Sequence, residues 1–193
     1  SSRRVIALKG YQHFAGRAQV ALHALELLGH QLKGYRLALY STNADEEALA
    51  RRTAQRTGME LEVVSRNSRW APHEEMLRLH GRARISLGLS IADGASVSFL
   101  ESLAMGSFPI QSGTACVSEW LADGTGGLIV PPEDPEAVAD AIERAVSDDA
   151  LVDRAAEINQ AVARARLDEA DLRRRLVKIY KTAINQIPSR SGG

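Results

Sequence analysis

Asp93 and Glu101 are separated by seven residues in the stretch Ile91-Ala-Asp-Gly-Ala-Ser-Val-Ser-Phe-Leu-Glu101. The first carboxylate falls in a loop of small residues, the second about two turns into the helix that follows. Each can accept hydrogen bonds from sugar-type hydroxyls. Between them, Gly94, Ala95 and Ser96 let backbone N–H groups approach a ligand closely, and the start of the helix at Val97 is a natural anion site. The chemistry on offer is therefore phosphate groups held by backbone amides between two carboxylates that bind hydroxyls.

Other chemistries lack their residues. There is no Walker A sequence, no G-x-G-x-x-G after the first strand and no G-x-S-x-G elbow. The Gly124-Thr-Gly-Gly127 run precedes a strand and reads as a turn. His23 with His30, and His73 with His80, share helix faces but stand two turns apart, too far for one metal. No Cys cluster or HExxH pattern occurs, so no metal is expected. His13 lies in the first loop and reads as a surface histidine. Trp70, with Asn67 and Arg69, either frames a flat ring or packs. Glu119 reads as a helix-orienting residue and Cys116 as a small core residue.

The elements that must position these residues alternate. Val5–Lys9 is an apolar run ending at Gly10, and residues 16–28 carry apolar side chains at helical spacing. Strands follow at 35–40, 61–64, 85–89, 108–111 and 128–130. Between them lie helices from the Ser41–Asp45 caps to Arg56, from Pro72 to His80, over Val97–Met105 and, briefly, over 117–121. A helix over 134–146 is capped by Asp134 with Pro135 at its first position. Two more, 151–166 and Glu169–Asn185, have no strand between them. This pattern predicts an α/β fold, Rossmann-like and doubly wound, with a mostly parallel sheet, helices on both faces and a C-terminal helical tail. Ligands of such sheets bind beyond the carboxyl ends of the strands, so Lys9–Arg17, Ser41–Asp45, Ser65–Trp70, Ser90–Val97 and Gln111–Ala115 are the loops of interest.

The chain has 193 residues, 45% hydrophobic and 25% charged, enough for one large core. Lys+Arg and Asp+Glu are 24 each, and this neutral balance argues against general nucleic-acid binding. The single cysteine excludes an internal disulfide framework and suits a reducing compartment, so a cytoplasmic location is expected. No apolar stretch reaches the roughly 20 residues that span a bilayer. The polar start runs directly into a strand and reads as a cut from a longer protein. Residues 1–188 are expected to form one domain and 189–193 a disordered tail.

Asp93, Gly94 and Glu101, followed by Ser102-Leu-Ala-Met-Gly-Ser-Phe-Pro-Ile110, resemble the acidic pair motif of the GT4 family of GT-B glycosyltransferases. Glu119 to Pro131, Glu133 to Ile142 and Ala83 to Ser90 are similar to the segments that flank that motif. The resemblance implies a retaining enzyme that transfers a sugar from a nucleotide-diphosphate sugar to an acceptor, with no metal or other cofactor required. The chain would be its C-terminal, donor-binding domain, one half of a GT-B fold, inactive without the absent N-terminal acceptor domain. Any peripheral membrane contact is expected through that absent half, and the apolar face of the last helix would dock there.

The resemblance also implies roles. Glu101 would bind the ribose hydroxyls, Asp93 the donor sugar, and the Ser96 and Val97 amides the diphosphate beside Gly94. The family's basic pair after the first strand corresponds here to Lys9 and Arg17, flanking a loop with Gly10 and Gly16. Fixed cations there would stabilise charge developing on the leaving phosphate. The first acidic position is Asp rather than Glu, and Ala95-Ser96 replaces an aromatic and Gly, which implies a different donor sugar or a repositioned loop. A sugar-nucleotide epimerase of the same architecture and a non-catalytic α/β binding module are the alternative readings.

Overall fold

The structure, a computed structural model, describes residues 2–114 and 116–185; the tail expected to be disordered, 189–193, lies outside them. Six strands form one sheet: β1 (Val5–Lys9), β2 (Arg36–Tyr40), β3 (Glu60–Val63), β4 (Ile85–Gly88), β5 (Phe108–Ser112) and β6 (Leu128–Val130). Their order is β3-β2-β1-β4-β5-β6, and every neighbouring pair is parallel. Among the described residues seven α-helices accompany them: α1 (Ala18–Leu28), α2 (Ala44–Thr57), α3 (His73–Arg82), α4 (Val97–Met105), α5 (Pro135–Ser147), α6 (Asp149–Arg166) and α7 (Glu169–Asn185). The expected α/β architecture is thus observed, with a sheet that is wholly parallel.

Strand alternation splits the core between two faces. Ile6 and Leu8 of β1 are buried with Leu22 and Leu25 of α1 and Val138 and Ile142 of α5. Ala7, between them, faces the other side, beside Ala38, Leu79 and Ala83. Burial of both faces explains why the strands read as nearly continuous apolar runs. On the α3 side, Phe99 and Leu103 anchor α4 against Val117, Leu121 and Ala163.

Local chemistry sets the helix ends. Asn43 caps α2 by accepting hydrogen bonds from the Asp45 and Glu46 amides, and Gly58 closes it with a left-handed φ of 72°. Asp134 caps α5 and Pro135 opens it, as the spacing predicts. Helix α1 starts at Ala18, two residues later than its apolar periodicity predicts. Arg17 takes a left-handed conformation, φ 53°, and a Cβ on Gly16 would stand 2.1 Å from the Tyr11 carbonyl oxygen. That turn is too tight to be helix. The segment expected as a short helix over 117–121 is a single 3₁₀ turn, Val117–Glu119.

The chain runs β1 to β3 outward in one direction, then returns to β4 and runs outward in the other. The β1–β4 boundary is therefore the topological switch point, where the loops after adjacent strands diverge and leave a crevice. Helix α7 leaves Leu176, Ile179 and Tyr180 exposed, in keeping with the apolar face expected there. No helix of the described residues is long and apolar enough to cross a membrane.

Candidate functional site

A cavity of about 560 Å³ opens at this switch point. Its wall brings together Lys9 at the end of β1, Asp93 and Gly94 from the loop after β4, Ser96 at the N-cap of α4, and Val97 and Glu101 of α4. Six of the eight residues singled out in the sequence thus share one cavity. The other two do not line it. Gly10 is required by packing instead, since a Cβ there would meet Thr42 and Leu39 within 3 Å. Arg17 points to Glu133 beyond β6 and forms an ion pair with it, while its Nε is buried without a hydrogen-bond partner.

Charge is arranged in order along the cavity. At one end Lys9 Nζ lies 3.3 Å from Asp93 Oδ2, both side chains partly exposed. Lys9 also approaches the Tyr11 ring, 6.0 Å from its centroid. In the middle is the N-terminus of α4. Ser96 Oγ accepts a hydrogen bond from the Phe99 amide, so the cap satisfies one of the first-turn donors and the amides before it face outward. Hydrogen bonds from the Ala92 and Asp93 amides to Ser90 Oγ shape the loop that carries Asp93.

At the other end stands Glu101, whose side chain is only 9% exposed. Burial pushes its carboxyl above the ordinary carboxylate value, and His73 partly offsets that rise by its charge and a hydrogen bond. His73 Nδ1 is 2.9 Å from Glu101 Oε1, and His80 Nε2 is 3.6 Å from Oε2. The His73–His80 spacing, which puts both rings on one face of α3, therefore serves a carboxylate rather than a metal. Tyr40 completes the floor. Its hydroxyl is pushed up to about 12 by burial, moderated by a hydrogen bond with Ser98 and reinforced by the Glu101 charge. Its ring meets His80 edge-on at 5.9 Å.

His73, His80 and Tyr40 are the residues that sequence reasoning missed. The seven-residue histidine spacing was the available signal, but their partner comes from another helix. Trp70 lines the cavity and is 69% exposed, so it is not a packing residue. Arg69 lines a neighbouring cavity of about 340 Å³ that shares Trp70. Among the described residues, no group of three or more His, Cys, Asp or Glu side chains is arranged to hold a metal ion. Cys116 is half-buried.

The arrangement can bind an elongated anionic polyol: hydroxyls at Glu101, phosphates at the α4 amides and Lys9, further hydroxyls at Asp93. Solved structures share its frame. The chain superposes on a glycosyltransferase from Rickettsia africae with a TM-score of 0.75 at 18% identity, covering 96% of this chain and 49% of that one. For Anabaena Alr3699/HepE in complex with UDP-glucose the values are 0.76 and 15%, covering 94% and 49%. For the catalytic domain of cholesterol-alpha-glucosyltransferase from Helicobacter pylori they are 0.68 and 16%, covering 84% and 98%. At these identities the likeness is one of fold, and the chain spans about half the length of the first two. No curated protein sequence is significantly similar to it. Residues 3–148, which contain the whole sheet and every wall of the cavity, match the family described as Glycosyl transferases group 1. The chain belongs to the group 1 glycosyltransferase family.

Proposed function

We propose that this chain is the donor-binding, C-terminal half of a retaining GT-B glycosyltransferase of the GT4 type. The enzyme would transfer a sugar from a nucleotide-diphosphate sugar to an acceptor held by another domain. The observation that carries this reading is the order of groups along one cavity: Glu101, the α4 amides, then the Lys9–Asp93 pair. Family membership supports transfer over epimerisation, and the Anabaena relative of the same fold is a complex with UDP-glucose.

In this reading Glu101 accepts hydrogen bonds from the ribose diol, and Trp70 lies beside the nucleobase. The Ser96 and Val97 region binds the diphosphate through amide N–H groups and the α4 dipole. Gly94 keeps the adjoining loop free of side-chain bulk; no atom lies within 4 Å of a Cβ built on it. Asp93 holds a hydroxyl of the transferred sugar. As the sugar–phosphate bond breaks, negative charge grows on the leaving diphosphate, and Lys9 is the fixed cation nearest to it. Arg17 would join Lys9 by exchanging Glu133 for phosphate, bringing Gly10 and the β1–α1 loop toward the donor. With basic side chains and amides in these places, no metal or other cofactor is needed. Closure against the acceptor half would align the two substrates. The isolated chain would bind donor without transferring it, and the apolar side of α7 would meet the other half.

The test is a calorimetric and thermal-shift screen of the chain against UDP, GDP, ADP and their common sugar conjugates. A ligand bound at a hundredfold excess over Kd raises stability by about 2.7 kcal/mol. Stabilisation by one nucleotide class, lost in Glu101→Ala, is the expected outcome. No response to any of them, or an undiminished response in Glu101→Ala, overturns the assignment.

A further inference from the structure

Glu101 stands between two imidazoles that differ in every physical respect. His73, the first residue of α3, has a side chain that is 68% exposed, and its Nδ1 holds Oε1 at 2.9 Å. His80, two turns further on, is completely buried. Its Nδ1 is 2.9 Å from Ser86 Oγ, which in turn is 2.7 Å from Ser107 Oγ. Its Nε2, aimed at Glu101 Oε2 across 3.6 Å, has no hydrogen-bond partner. That distance is beyond a hydrogen bond.

The neutral tautomer of His80 follows from its neighbours. Burial pushes the ring down to about 4, so it carries one N–H at neutral pH. A proton on Nδ1 would leave the Nε2 lone pair facing the Glu101 carboxylate, two acceptors opposed. A proton on Nε2 lets Ser107 O–H donate to Ser86, Ser86 O–H donate to His80 Nδ1, and Nε2–H point at Glu101. The second arrangement satisfies each group in turn, with one exception. A buried donor faces a carboxylate that is held slightly too far away by a surface histidine, and buried donors without acceptors are uncommon in folded proteins.

We propose that Glu101 is a two-position carboxylate: a ligand diol and His73 compete for Oε1, and His80 is the fixed donor that takes Oε2 when the diol displaces His73. This rests on the reading of the cavity as a nucleoside-diphosphate site and assigns opposite roles to its two histidines. His80 is a positioning residue, acting on the ligand through Glu101. His73 is a competitor that sets how readily Glu101 is given up. A carboxylate whose two oxygens both remain bonded to protein cannot receive a vicinal diol with both lone-pair directions, whereas one anchored only at Oε2 can.

The experiment is calorimetry with UDP, GDP and ADP on the full chain and three variants. For the diphosphate that binds the wild type best, His73→Ala is expected to bind about two- to fivefold tighter, the size of a lost exposed pair. His80→Phe should weaken binding at least about tenfold, the scale of a hydrogen bond to a charged group. His80→Gln, whose amide N–H reaches near the Nε2 position, should recover most of that loss. In ¹⁵N spectra of the wild type, the His80 Nε2–H signal should shift on adding the diphosphate, a readout available even if His80→Phe does not fold. Equal or weaker binding by His73→Ala, or an unmoved His80 signal, overturns the proposal while leaving the donor site intact. Binding of none of the three diphosphates to the wild type overturns the donor-site reading and the proposal with it.

Discussion

Lys9 Nζ lies 3.3 Å from Asp93 Oδ2, although they stand 84 positions apart in the chain. The contact bridges the ends of β1 and β4, the two adjacent strands whose connections run to opposite sides of the sheet. It places one cation and one carboxylate at the same end of the cavity, and each moderates what the other can do to an anionic ligand.

Removing one partner changes the field in a direction that depends on which is removed. Lys9→Ala leaves Asp93 without its opposing cation, so whichever of UDP, GDP and ADP binds the wild type best should bind about tenfold or more weakly, while its parent nucleoside is little affected. Asp93→Asn removes the opposing charge and should tighten the same diphosphate. Calorimetry with the nucleoside and the diphosphate in parallel checks both signs. A loss of nucleoside binding equal to that of the diphosphate would show that Lys9 does not serve the phosphates.

Glu101→Gln keeps the shape of the side chain but removes its charge and replaces one acceptor oxygen with an NH2 donor. It should weaken any ribose-bearing diphosphate at least about tenfold and leave inorganic pyrophosphate unchanged. Competition between pyrophosphate and the nucleotide, followed by calorimetry, separates the two effects. If pyrophosphate is lost as well, Glu101 acts on the fold of the cavity rather than on the ligand hydroxyls.

Stability should fall with acid through a window that His80 defines. Its folded value, about 4, lies below the ordinary 6.5, so between those pH values the unfolded chain binds more protons. The contribution is full above 6.5 and lost as pH falls through 4. At 1.36 kcal/mol per pH unit it amounts to about 3 kcal/mol. Glu101, raised by burial, has the opposite sign: the stability it contributes is full below 4.5 and lost as pH rises through its folded value. Urea unfolding at pH 5.0 and 7.5, wild type against His80→Phe, isolates the histidine. A wild-type curve as flat as that of the variant would contradict this account.

Arg84, immediately before β4, is fully buried, donating to the Ala145 carbonyl and paired with Asp149 at 2.6 Å. It ties the strand that precedes the Asp93 loop to the junction of α5 and α6. Arg84→Ala should cost about 2–4 kcal/mol, from lost packing and a carbonyl left without its donor. Chemical denaturation measures this directly. A change under 1 kcal/mol would mean that the junction relaxes to compensate.

Much of this protein is legible in its sequence because the relevant forces are local. Short apolar runs and helical spacing mark all six strands and the major helices; Asn43, Asp134 and Gly58 set helix ends through bonds within a few residues, and Pro135 does so through its fixed φ. The acidic pair, Gly94, Ser96 and Val97 reach one cavity because a strand, a tight loop and a helix follow in immediate succession. Periodicity alone starts α1 two residues too early, because the turn at Gly16 and Arg17 is set by close approach to the Tyr11 carbonyl. Only the tertiary structure decided the rest. Lys9 meets Asp93 because the sheet order puts β1 beside β4, and Arg17 turns to Glu133 because its loop faces the β6 end of the sheet. His73 and His80 share a face by their spacing, but α3 packing on α4 supplies the carboxylate between them. Spacing along one element is a property of the backbone helix or strand; contact between elements is fixed by which faces the core must bury.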